Sequence, residues 1–339
     1  MKVTMKSIAQ IVGVSVNTVS LALRGMPGIK EETREKIFRT AKELGYVAAP
    51  VTPEVRNICL VSKAERLRDS YFFMSFYQLI LEKVKEYGYN ILVYHSANIQ
   101  SAQQITQSLK ANFVSGIILL GDLEEAVVKM TASCGLPLVS IGARYHTTEV
   151  CTFIEDNQEG AYQAVAYLHE HGYRKIGFVG DPLHSTAFME RYQGYLGSLY
   201  RFGMPIDTRL HMHDIDNELR YDFRVMADKL QRMEELPEAF VCANDNLAVT
   251  AVKALNQLGI RTPEDMGLIG FDANTTGKMC TPSITSIDVC CEVQAAESVH
   301  RLMEAIDKGD VDSMSRERRL LQVRLVEGDS VVDRNKETA

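Results

Sequence analysis

Short hydrogen-bonding side chains crowd the segment that follows Gly13. Ser15, Asn17, Thr18 and Ser20 lie within six residues, and their hydroxyl and amide groups suit contacts with phosphate oxygens or base edges. Such side chains reach DNA when a tight turn and a preceding helix hold them at the start of a second helix. The spacing therefore predicts a helix-turn-helix DNA reader, and an unrelated three-helix cap is the alternative.

Three short helices are expected to hold these side chains. Thr4 suits the N-cap of the first helix, Gly13 allows a left-handed turn after it, and Ser15 can cap the second. Apolar residues at helical spacing predict helices over residues 5–12, 16–24 and 30–44.

Charge separates this segment from the rest of the chain. The 339 residues carry a formal net charge of −7, but the first 50 hold eight lysines and arginines against four glutamates. A basic N-terminal segment on an acidic body predicts an electrostatic footprint for nucleic acid confined to one end.

After residue 53 the pattern changes to alternating strands and helices. Short apolar runs separated by amphipathic stretches predict parallel sheets with crossover helices. We expect two similar α/β lobes with a ligand cleft at the carboxyl ends of their strands. The candidate strands are residues 58–62, 91–95, 116–120, 138–141, 151–154, 176–180, 239–243, 267–271 and 284–287.

Composition narrows the class of protein further. With 46% hydrophobic and 24% charged residues, the chain is not disordered, collagenous or fibrous. No secretory leader or membrane-spanning run is recognised, and seven cysteines without a CxxC pair predict reduced thiols in the cytoplasm. The histidine pairs 169/171 and 211/213 are expected on solvated helix surfaces, so they do not predict a metal site. No cofactor and no catalytic residue is predicted either.

Several segments, in a fixed order, resemble the lactose/galactose-repressor (LacI/GalR) family over nearly the whole chain. The matching segments are TMKSIA (4–9), SVNTVS (15–20), ETREKI (32–37), ELGY (43–46), IEDN (154–157), HGYRKI (171–176), ERYQGY (190–195), ANDNLA (243–248), PED (263–265), IGFD (269–272) and TPSIT (281–285).

The resemblance implies a small all-α helix-turn-helix headpiece joined to a two-lobed α/β domain of the periplasmic-binding-protein-like type I class, with parallel sheets. The expected divisions are a headpiece over 1–48, a linker over 49–57, an effector and dimerisation domain over 58–330 and a polar tail over 331–339. Within that domain the first lobe would span 58–157 plus 288–312, and the second 158–287 plus 313–330.

For DNA, the resemblance places base-reading positions at Val16, Asn17 and Leu21. Asn17 would pair with N6 and N7 of an adenine, and Val16 or Leu21 would touch a thymine methyl. Leu21 departs from the polar residue often found at its position, and packing within the headpiece is its alternative role. The expected DNA contacts are Thr4, Ser15, Val16, Asn17, Thr18, Ser20, Leu21 and Thr33.

The join between headpiece and first strand departs from the family. Members usually carry an Ala-Arg-x-Leu-like hinge helix that folds on DNA and wedges a leucine into the minor groove. Residues 47–57 contain no leucine, and Pro50 and Pro53 disfavour a continuous helix. We expect a short, partly extended linker and little leucine-wedge kinking of bound DNA.

For the cleft, the resemblance points to polar side chains beside strand ends. Arg191, Asn244 and Asp272 are the strongest candidates, and structural ion pairing is the alternative for the charged ones. Asp156 is equally open to a hinge role, whereas Asp245 is expected to shape its loop. The expected effector contacts are Tyr71, Phe72, Arg144, Asp156, Arg191, Asn244 and Asp272, with Tyr71 and Phe72 in the loop after the first strand.

Together these features predict a cytoplasmic transcriptional repressor that binds double-stranded operator DNA as a homodimer. Its DNA affinity would be set by a sugar or sugar derivative, acting as inducer or corepressor. An enzyme and a transport-linked solute-binding protein are the alternatives. The chain has no G-x-G-x-x-G after a strand and no G-x-S-x-G, and the helix-turn-helix segment argues against both.

Overall fold

The computed structural model describes residues 4–23, 29–44, 46, 56–69, 71–213, 221–309, 311 and 317–336. Within these ranges, eight side chains lie outside the description: Asn17, Ser20, Leu21, Arg66, Arg68, Asp69, Tyr71 and Lys336. The chain divides into two compact units, Met1–Val55 and Arg56–Ala339.

The first unit contains three helices, α1 (Met5–Val12), α2 (Val16–Leu23) and α3 (Glu31–Glu43). Thr4 caps α1 in a reciprocal capping box with Ser7, and Gly13 ends that helix at a φ of 76°. Both features confirm the roles expected from the sequence. The three helices meet in one small core of buried side chains: Ile8, Ala9, Val19, Ala22, Ile37 and Ala41.

The second unit is built on twelve strands and ten helices within the described residues. The strands are β1 (Asn57–Ser62), β2 (Asn90–His95), β3 (Val114–Leu120), β4 (Leu138–Ile141), β5 (Cys151–Glu155), β6 (Ile176–Val179), β7 (His211–Met212), β8 (Ala239–Cys242), β9 (Gly267–Phe271), β10 (Thr285–Asp288), β11 (Arg318–Leu321) and β12 (Arg324–Val326). The helices are α4 (Ala64–Asp69), α5 (Tyr71–Glu86), α6 (Ala102–Ala111), α7 (Glu125–Ala132), α8 (Asn157–Glu170), α9 (Thr186–Arg201), α10 (Phe223–Arg232), α11 (Asp245–Gln257), α12 (Thr275–Lys278) and α13 (Cys291–Lys308).

Two six-stranded sheets define the two lobes. The first lobe has the strand order β11-β5-β4-β3-β1-β2, and the second has β12-β10-β9-β8-β6-β7. The orders match strand for strand, which confirms the expected pair of similar lobes. They differ at one edge, because β11 runs parallel to β5 whereas β12 runs antiparallel to β10.

The central strands are buried on both faces because helices cover each side of a parallel sheet. All six residues of β1 are buried. Ile58 and Leu60 join one apolar cluster of the first lobe, and Cys59 and Val61 join the other. This alternation follows from the two-residue period of a strand, which sends successive side chains to opposite faces of the sheet.

Three strands were not expected from the sequence: β7, β11 and β12. Arg318–Leu321 pairs with β5 in the first sheet, although residues 313–330 were assigned to the second lobe. Its alternating exposed and half-buried residues are those of an edge strand. Charged edge strands lack the continuous apolar run by which the other strands were recognised.

The expected linker and the expected polar tail lie at the two ends of the second unit. Residues 49–55 of the linker lie outside the described residues, so its conformation stays a prediction, and Asn57 already belongs to β1. The expected polar tail is docked on the second lobe where it is described. The Arg334 guanidinium lies 4.4 Å from the centre of the Tyr173 ring, and Asn335 donates to the Glu170 carbonyl at 2.8 Å.

Candidate functional site

The start of α2 is organised by Ser15. Its hydroxyl accepts a hydrogen bond from the Thr18 backbone N–H at 3.0 Å and lies 2.8 Å from the Thr18 hydroxyl. This local bond satisfies one of the N–H groups that every helix start leaves open. Val16 follows in the first turn with 45% of its surface exposed. The turn therefore presents an ordered helix N-terminus of the kind that enters a DNA groove.

The other expected DNA contacts fall into two groups. Asn17, Ser20 and Leu21 lie on α2, but their side chains are outside the described part of the chain, so their roles stay predictions. Thr4 uses its hydroxyl within the capping box of α1, and Thr33 is half-buried in the first turn of α3. Their contacts with DNA stay predictions.

Arg34 has a role that sequence reasoning missed. Its Nη1 donates to the Ala22 carbonyl at 3.3 Å, and its Nε lies 3.6 Å from a Glu31 carboxylate oxygen. Arg34 thus ties α3 to the C-terminal end of α2, where carbonyl groups lack helical partners. In the sequence, the only sign of this role was that Arg34 stands one helical turn after Glu31, where the two side chains can pair.

In the second unit, Arg191 joins the two lobes. Lying on α9, it is 3% exposed and donates through Nη1 to the Ala243 carbonyl at 2.7 Å and to Asp272 at 3.2 Å, both in the second lobe. Its Nη2 donates to Glu155, at the end of β5 in the first lobe, at 3.3 Å. The guanidinium also lies 4.5 Å from the centre of the Phe271 ring. One planar cation therefore bridges carboxylates from both sheets.

A second cation continues this network. Asn157 accepts from Nε of Arg191 at 2.8 Å and donates to Glu190 at 3.0 Å. Glu190 in turn pairs with Arg144, which follows β4 of the first lobe, at 2.8 Å. The Nε–H of Arg144 is buried and has no hydrogen-bond partner among the described residues. We call Arg144, Glu155, Asn157, Glu190, Arg191 and Asp272 the interlobe network.

A third polar contact joins the first lobe to α9. Asp122, just after β3, accepts from the hydroxyl of Thr186 at 3.0 Å and from its backbone N–H at 3.3 Å. Thr186 begins α9, so the first lobe holds α9 at its N-terminus and again four and five residues farther along, at Glu190 and Arg191. The lobes are thus in contact through α9.

Asp272 and Asp245 are both buried, but only Asp272 belongs to the interlobe network. Asp272 directly follows β9 at a φ of 93°, and burial raises the pKa of its carboxyl against the opposing effect of Arg191. Asp245 is completely buried and accepts from Ser286 at 2.6 Å and from the Asn274 backbone N–H at 2.7 Å. Burial and the neighbouring Asp272 raise the pKa of Asp245 to about 8.

The sequence reading of Asp245 as a loop-shaping residue agrees with these contacts. A Cβ atom at Gly270 would lie 2.2 Å from an Asp245 carboxylate oxygen, so the carboxyl packs against backbone that must be glycine. Asp245 therefore supports the loop that carries Asp272.

Asn244 and Asp156 are placed by helix capping. The Asn244 side chain accepts from the Leu247 N–H at 2.9 Å at the start of α11, and its amide donates to the Tyr221 hydroxyl at 3.3 Å. Asp156 accepts from the Glu159 N–H at 3.0 Å at the start of α8. Both follow the ends of strands, and their side-chain oxygens already accept hydrogen bonds at the helix starts, so contact with a ligand stays a prediction.

Tyr71 and Phe72 are placed differently from the expectation. They lie in the first turn of α5, not in a loop, because the short helix α4 occupies the stretch after β1. The sequence analysis did not predict the six-residue helix α4 (Ala64–Asp69). The Tyr71 side chain lies outside the described residues, whereas Phe72 packs against the apolar cores of both lobes.

His211 and His213 were expected on a solvated helix surface, and that expectation is wrong. His211 belongs to β7, and its two ring nitrogens each lie 3.1 Å from a tyrosine hydroxyl, those of Tyr192 and Tyr195. Burial and the adjacent His213 lower the pKa of His211 to about 4. The expectation failed because β7 has only two residues and was not recognised as a strand, and because His211 packs against tyrosines of α9.

Metal binding and membrane insertion are two further properties to which the described residues speak. No three histidine, cysteine, aspartate or glutamate side chains there are grouped so that they could hold a metal ion. No helix in the same residues has the length and apolar character to cross a membrane.

Two family models match the chain. Residues 4–48 match the model for bacterial regulatory proteins of the lacI family, and residues 165–331 match a periplasmic binding protein-like domain. Together they cover the helix-turn-helix unit and most of the second lobe.

Curated relatives match over most of their length. The NTD biosynthesis operon regulator NtdR of Bacillus subtilis is 27% identical over 311 residues, which are 89% of this chain and 92% of the relative. The HTH-type transcriptional repressor PurR of Vibrio cholerae is 26% identical over 346 residues, covering 98% of this chain and 99% of the relative.

Solved structures show the same architecture. A complex of the transcriptional regulator CelR with cellobiose aligns with a TM-score of 0.69 at 26% identity, covering 97% of this chain and 99% of CelR. A lac repressor dimer bound to operator and the anti-inducer ONPF aligns with a TM-score of 0.71 at 22% identity, covering 98% and 100%. With its helix-turn-helix unit and its paired parallel sheets, the chain belongs to the LacI/GalR family of DNA-binding transcriptional regulators.

Proposed function

We propose that this regulator is a cytoplasmic repressor, without enzymatic activity, whose operator affinity is set by a hydroxylated small molecule bound between the lobes. The observation that carries the proposal is the interlobe network, in which Arg191 contacts both Glu155 and Asp272. Guanidinium and carboxylate groups at the edge of two sheets are the partners that sugar hydroxyls require.

A ligand can act on this network because its groups come from both lobes. The unpaired Nε–H of Arg144 offers a donor to a ligand hydroxyl, and Phe72 offers an apolar surface between the two cores. The CelR relative is named as a cellobiose complex, which supports a sugar or sugar derivative as the ligand class. The proposed contacts are Tyr71, Phe72, Arg144, Asp156, Arg191, Asn244 and Asp272.

Ligand binding would alter DNA binding by favouring one arrangement of the lobes. Only a difference in ligand affinity between the arrangements shifts their populations. Two recognition helices must reach half-sites about one DNA turn apart, so we propose a homodimer as the binding species. The proposed DNA contacts remain Thr4, Ser15, Val16, Asn17, Thr18, Ser20, Leu21 and Thr33.

The ligand half of the proposal is tested by thermal-shift screening of the full chain against sugars, sugar phosphates and nucleosides. A ligand that raises the melting temperature of the native protein should lose that effect in Asp272→Asn. Asp265→Asn is the matched control, because Asp265 is paired with Arg261 on the exposed surface. Retention of the full shift in Asp272→Asn would contradict the assignment of this site.

The DNA half is tested by gel shift with duplexes selected from a random library. Asn17→Ala should weaken specific binding by about 1–3 kcal/mol, the range for losing a bidentate base contact. Glu43→Gln, on the exposed end of α3, serves as the control. Failure to select any duplex, or equal binding by Asn17→Ala, would contradict the assigned DNA contacts.

A further inference from the structure

The interlobe network is unbalanced in charge. It contains three carboxylates, those of Glu155, Glu190 and Asp272, and two guanidiniums, those of Arg144 and Arg191. Asn157, which links its two halves, is neutral. The side chains of the three carboxylates are at most 10% exposed, so water does little to compensate the excess negative charge.

The contacts show where the excess lies. Glu190 has the Arg144 guanidinium as its partner at 2.8 Å, with Asn157 donating to its other oxygen at 3.0 Å. Glu155 and Asp272 share the single guanidinium of Arg191, at 3.3 and 3.2 Å. These two distances are longer than those of well-formed charge-assisted hydrogen bonds. The pair of carboxylates around Arg191 is therefore one positive charge short.

Further carboxyl groups lie around the network. Asp122 and Asp156 stand at the ends of β3 and β5 on the same edge of the first sheet. Asp245 lies behind Asp272, but its pKa of about 8 keeps it mostly uncharged at neutral pH, and burial raises the pKa of Asp272 because negative charge is disfavoured there. The nearby Lys63 is paired with Glu124 at 3.0 Å, so this pair adds no net charge. An anionic ligand would add its charge to an already negative site, whereas an ammonium group would neutralise it.

We propose that the ligand of this site is an amino sugar, with an ammonium group held near Glu155 and Asp272, rather than a sugar phosphate or a sugar acid. The proposal rests on the proposed function, because it names the chemical class of ligand for the same interlobe site. Hydroxyl groups on the ring meet Arg144 and Arg191, and the ammonium supplies the missing positive charge.

Isothermal titration of the full chain with ring-matched probes tests the charge preference. The probes are glucose, glucosamine and glucose 6-phosphate, then galactose, galactosamine and galacturonate, then cellobiose and chitosan disaccharide, with putrescine as an amine without a ring. On the ring that binds, the amine should bind about tenfold more tightly than the neutral sugar, the lower end expected for a charge-assisted hydrogen bond. The anionic sugar should bind more weakly than both.

Two isosteric variants separate charge from shape. Glu155→Gln and Glu190→Gln each remove one negative charge and keep a side chain of the same size, and each should lower the ratio of amine to neutral affinity toward one. Glu159→Gln is the matched control, because Glu159 is exposed on the first turn of α8 outside the network. A purely structural role of these glutamates would weaken binding of both sugars equally and leave the ratio unchanged.

The outcomes distinguish this inference from the proposed function. Tighter binding of a neutral or anionic sugar, tightest binding of putrescine, or a ratio that neither variant changes would overturn the amino-sugar assignment while leaving a ligand site between the lobes. If no probe of any charge binds, both the sugar-ligand part of the proposed function and this inference are wrong. A preference for the amine that falls in the two variants supports the inference.

Discussion

The helix-turn-helix unit and the interlobe network use polar side chains in opposite environments. Around α2, Ser15 bonds to Thr18 three residues away, at an exposed helix start. In the interlobe network, Arg191 bonds to Asp272 81 residues away, and both side chains are almost fully buried. The exposed polar groups at the start of α2 form hydrogen bonds both within the helix and with water. The buried charged groups of the interlobe network depend on each other for hydrogen-bond and ion-pair partners.

The two environments determine how each region can respond to a partner. An exposed helix start loses little when DNA arrives, because water already solvates its polar groups. A buried ion network must exchange partners when a ligand enters, since an unpaired buried charge is strongly destabilising. The interlobe network is therefore the region in which binding can be coupled to a change in the arrangement of the lobes.

The largest expected effect comes from deleting the shared cation. Arg191→Ala leaves Glu155 and Asp272 buried without their guanidinium, and we expect the free energy of unfolding of the second unit to fall by about 3–5 kcal/mol. Arg209→Ala is the control, because that side chain is 71% exposed and its ion pairs are worth at most about 1 kcal/mol. Urea denaturation measures both. Equal losses in the two variants would show that burial does not distinguish these arginines.

The next effect tests whether the two units fold independently. Ile37→Ala removes a fully buried side chain from the small core of the helix-turn-helix unit, with an expected loss of roughly 2–4 kcal/mol. Such a loss unfolds a unit of this size and abolishes DNA binding in a gel shift. Calorimetry should show the transition of the second unit unchanged. Phe38→Ala, at a 48% exposed position on the same helix, is the control. A lower melting temperature of the second unit in Ile37→Ala would contradict independent folding.

An effect that is smaller for each unit of pH concerns the ionisation of Asp245. The folded-state pKa of Asp245 is raised to about 8, above the value of about 3.9 in an unfolded chain. The folded protein therefore holds a proton that the unfolded chain releases, and stability falls as pH rises between about 4 and 8. One such group contributes a slope of at most about 1.4 kcal/mol per pH unit.

Asp245→Asn should remove this contribution, which is measured by urea unfolding of the variant and the native protein from pH 5 to 8. The difference between their free energies of unfolding should change steadily with pH. Parallel curves would mean that Asp245 is ionised in the folded protein throughout this range.

The smallest expected effect is at the start of α2. Ser15→Ala removes the cap on the Thr18 N–H, and we expect a loss of about 1 kcal/mol in the stability of the first unit. Ser15→Thr keeps a hydroxyl and should restore most of the loss. Thermal unfolding followed by circular dichroism of both variants checks this. If Ser15→Thr and Ser15→Ala unfold alike, the cap does not stabilise the helix.

Local features were predictable because their causes lie within a few residues. The cap at Thr4 and the left-handed turn at Gly13 follow from residue type and neighbours, and the structure confirms both. The nine apolar strand candidates also correspond to strands of the two sheets, with ends shifted by at most two residues. By contrast, β11 and β12 are charged edge strands whose pairing depends on which sheet has an open edge.

For the candidate site, the resemblance to the family supplied Arg191, Asn244 and Asp272, but not the other side chains that Arg191 contacts, Glu155 and Asn157. Glu155, Asn157 and Glu190 were present in the quoted segments without being recognised as one network. Their shared environment depends on two strand ends and α9 meeting across the cleft, which spacing along the chain does not reveal.

Residue types and their order were enough to predict the helix-turn-helix segment, the alternation of strands and helices and the contrast between a basic N-terminal segment and an acidic body. Those features depend on local propensity, on periodicity and on composition. Two features depend on the folded arrangement: three carboxylates share two guanidiniums, and His211 is buried against two tyrosines. The physical reason is that burial and pairing of a charge are properties of its neighbours in space, and these come from distant parts of the chain.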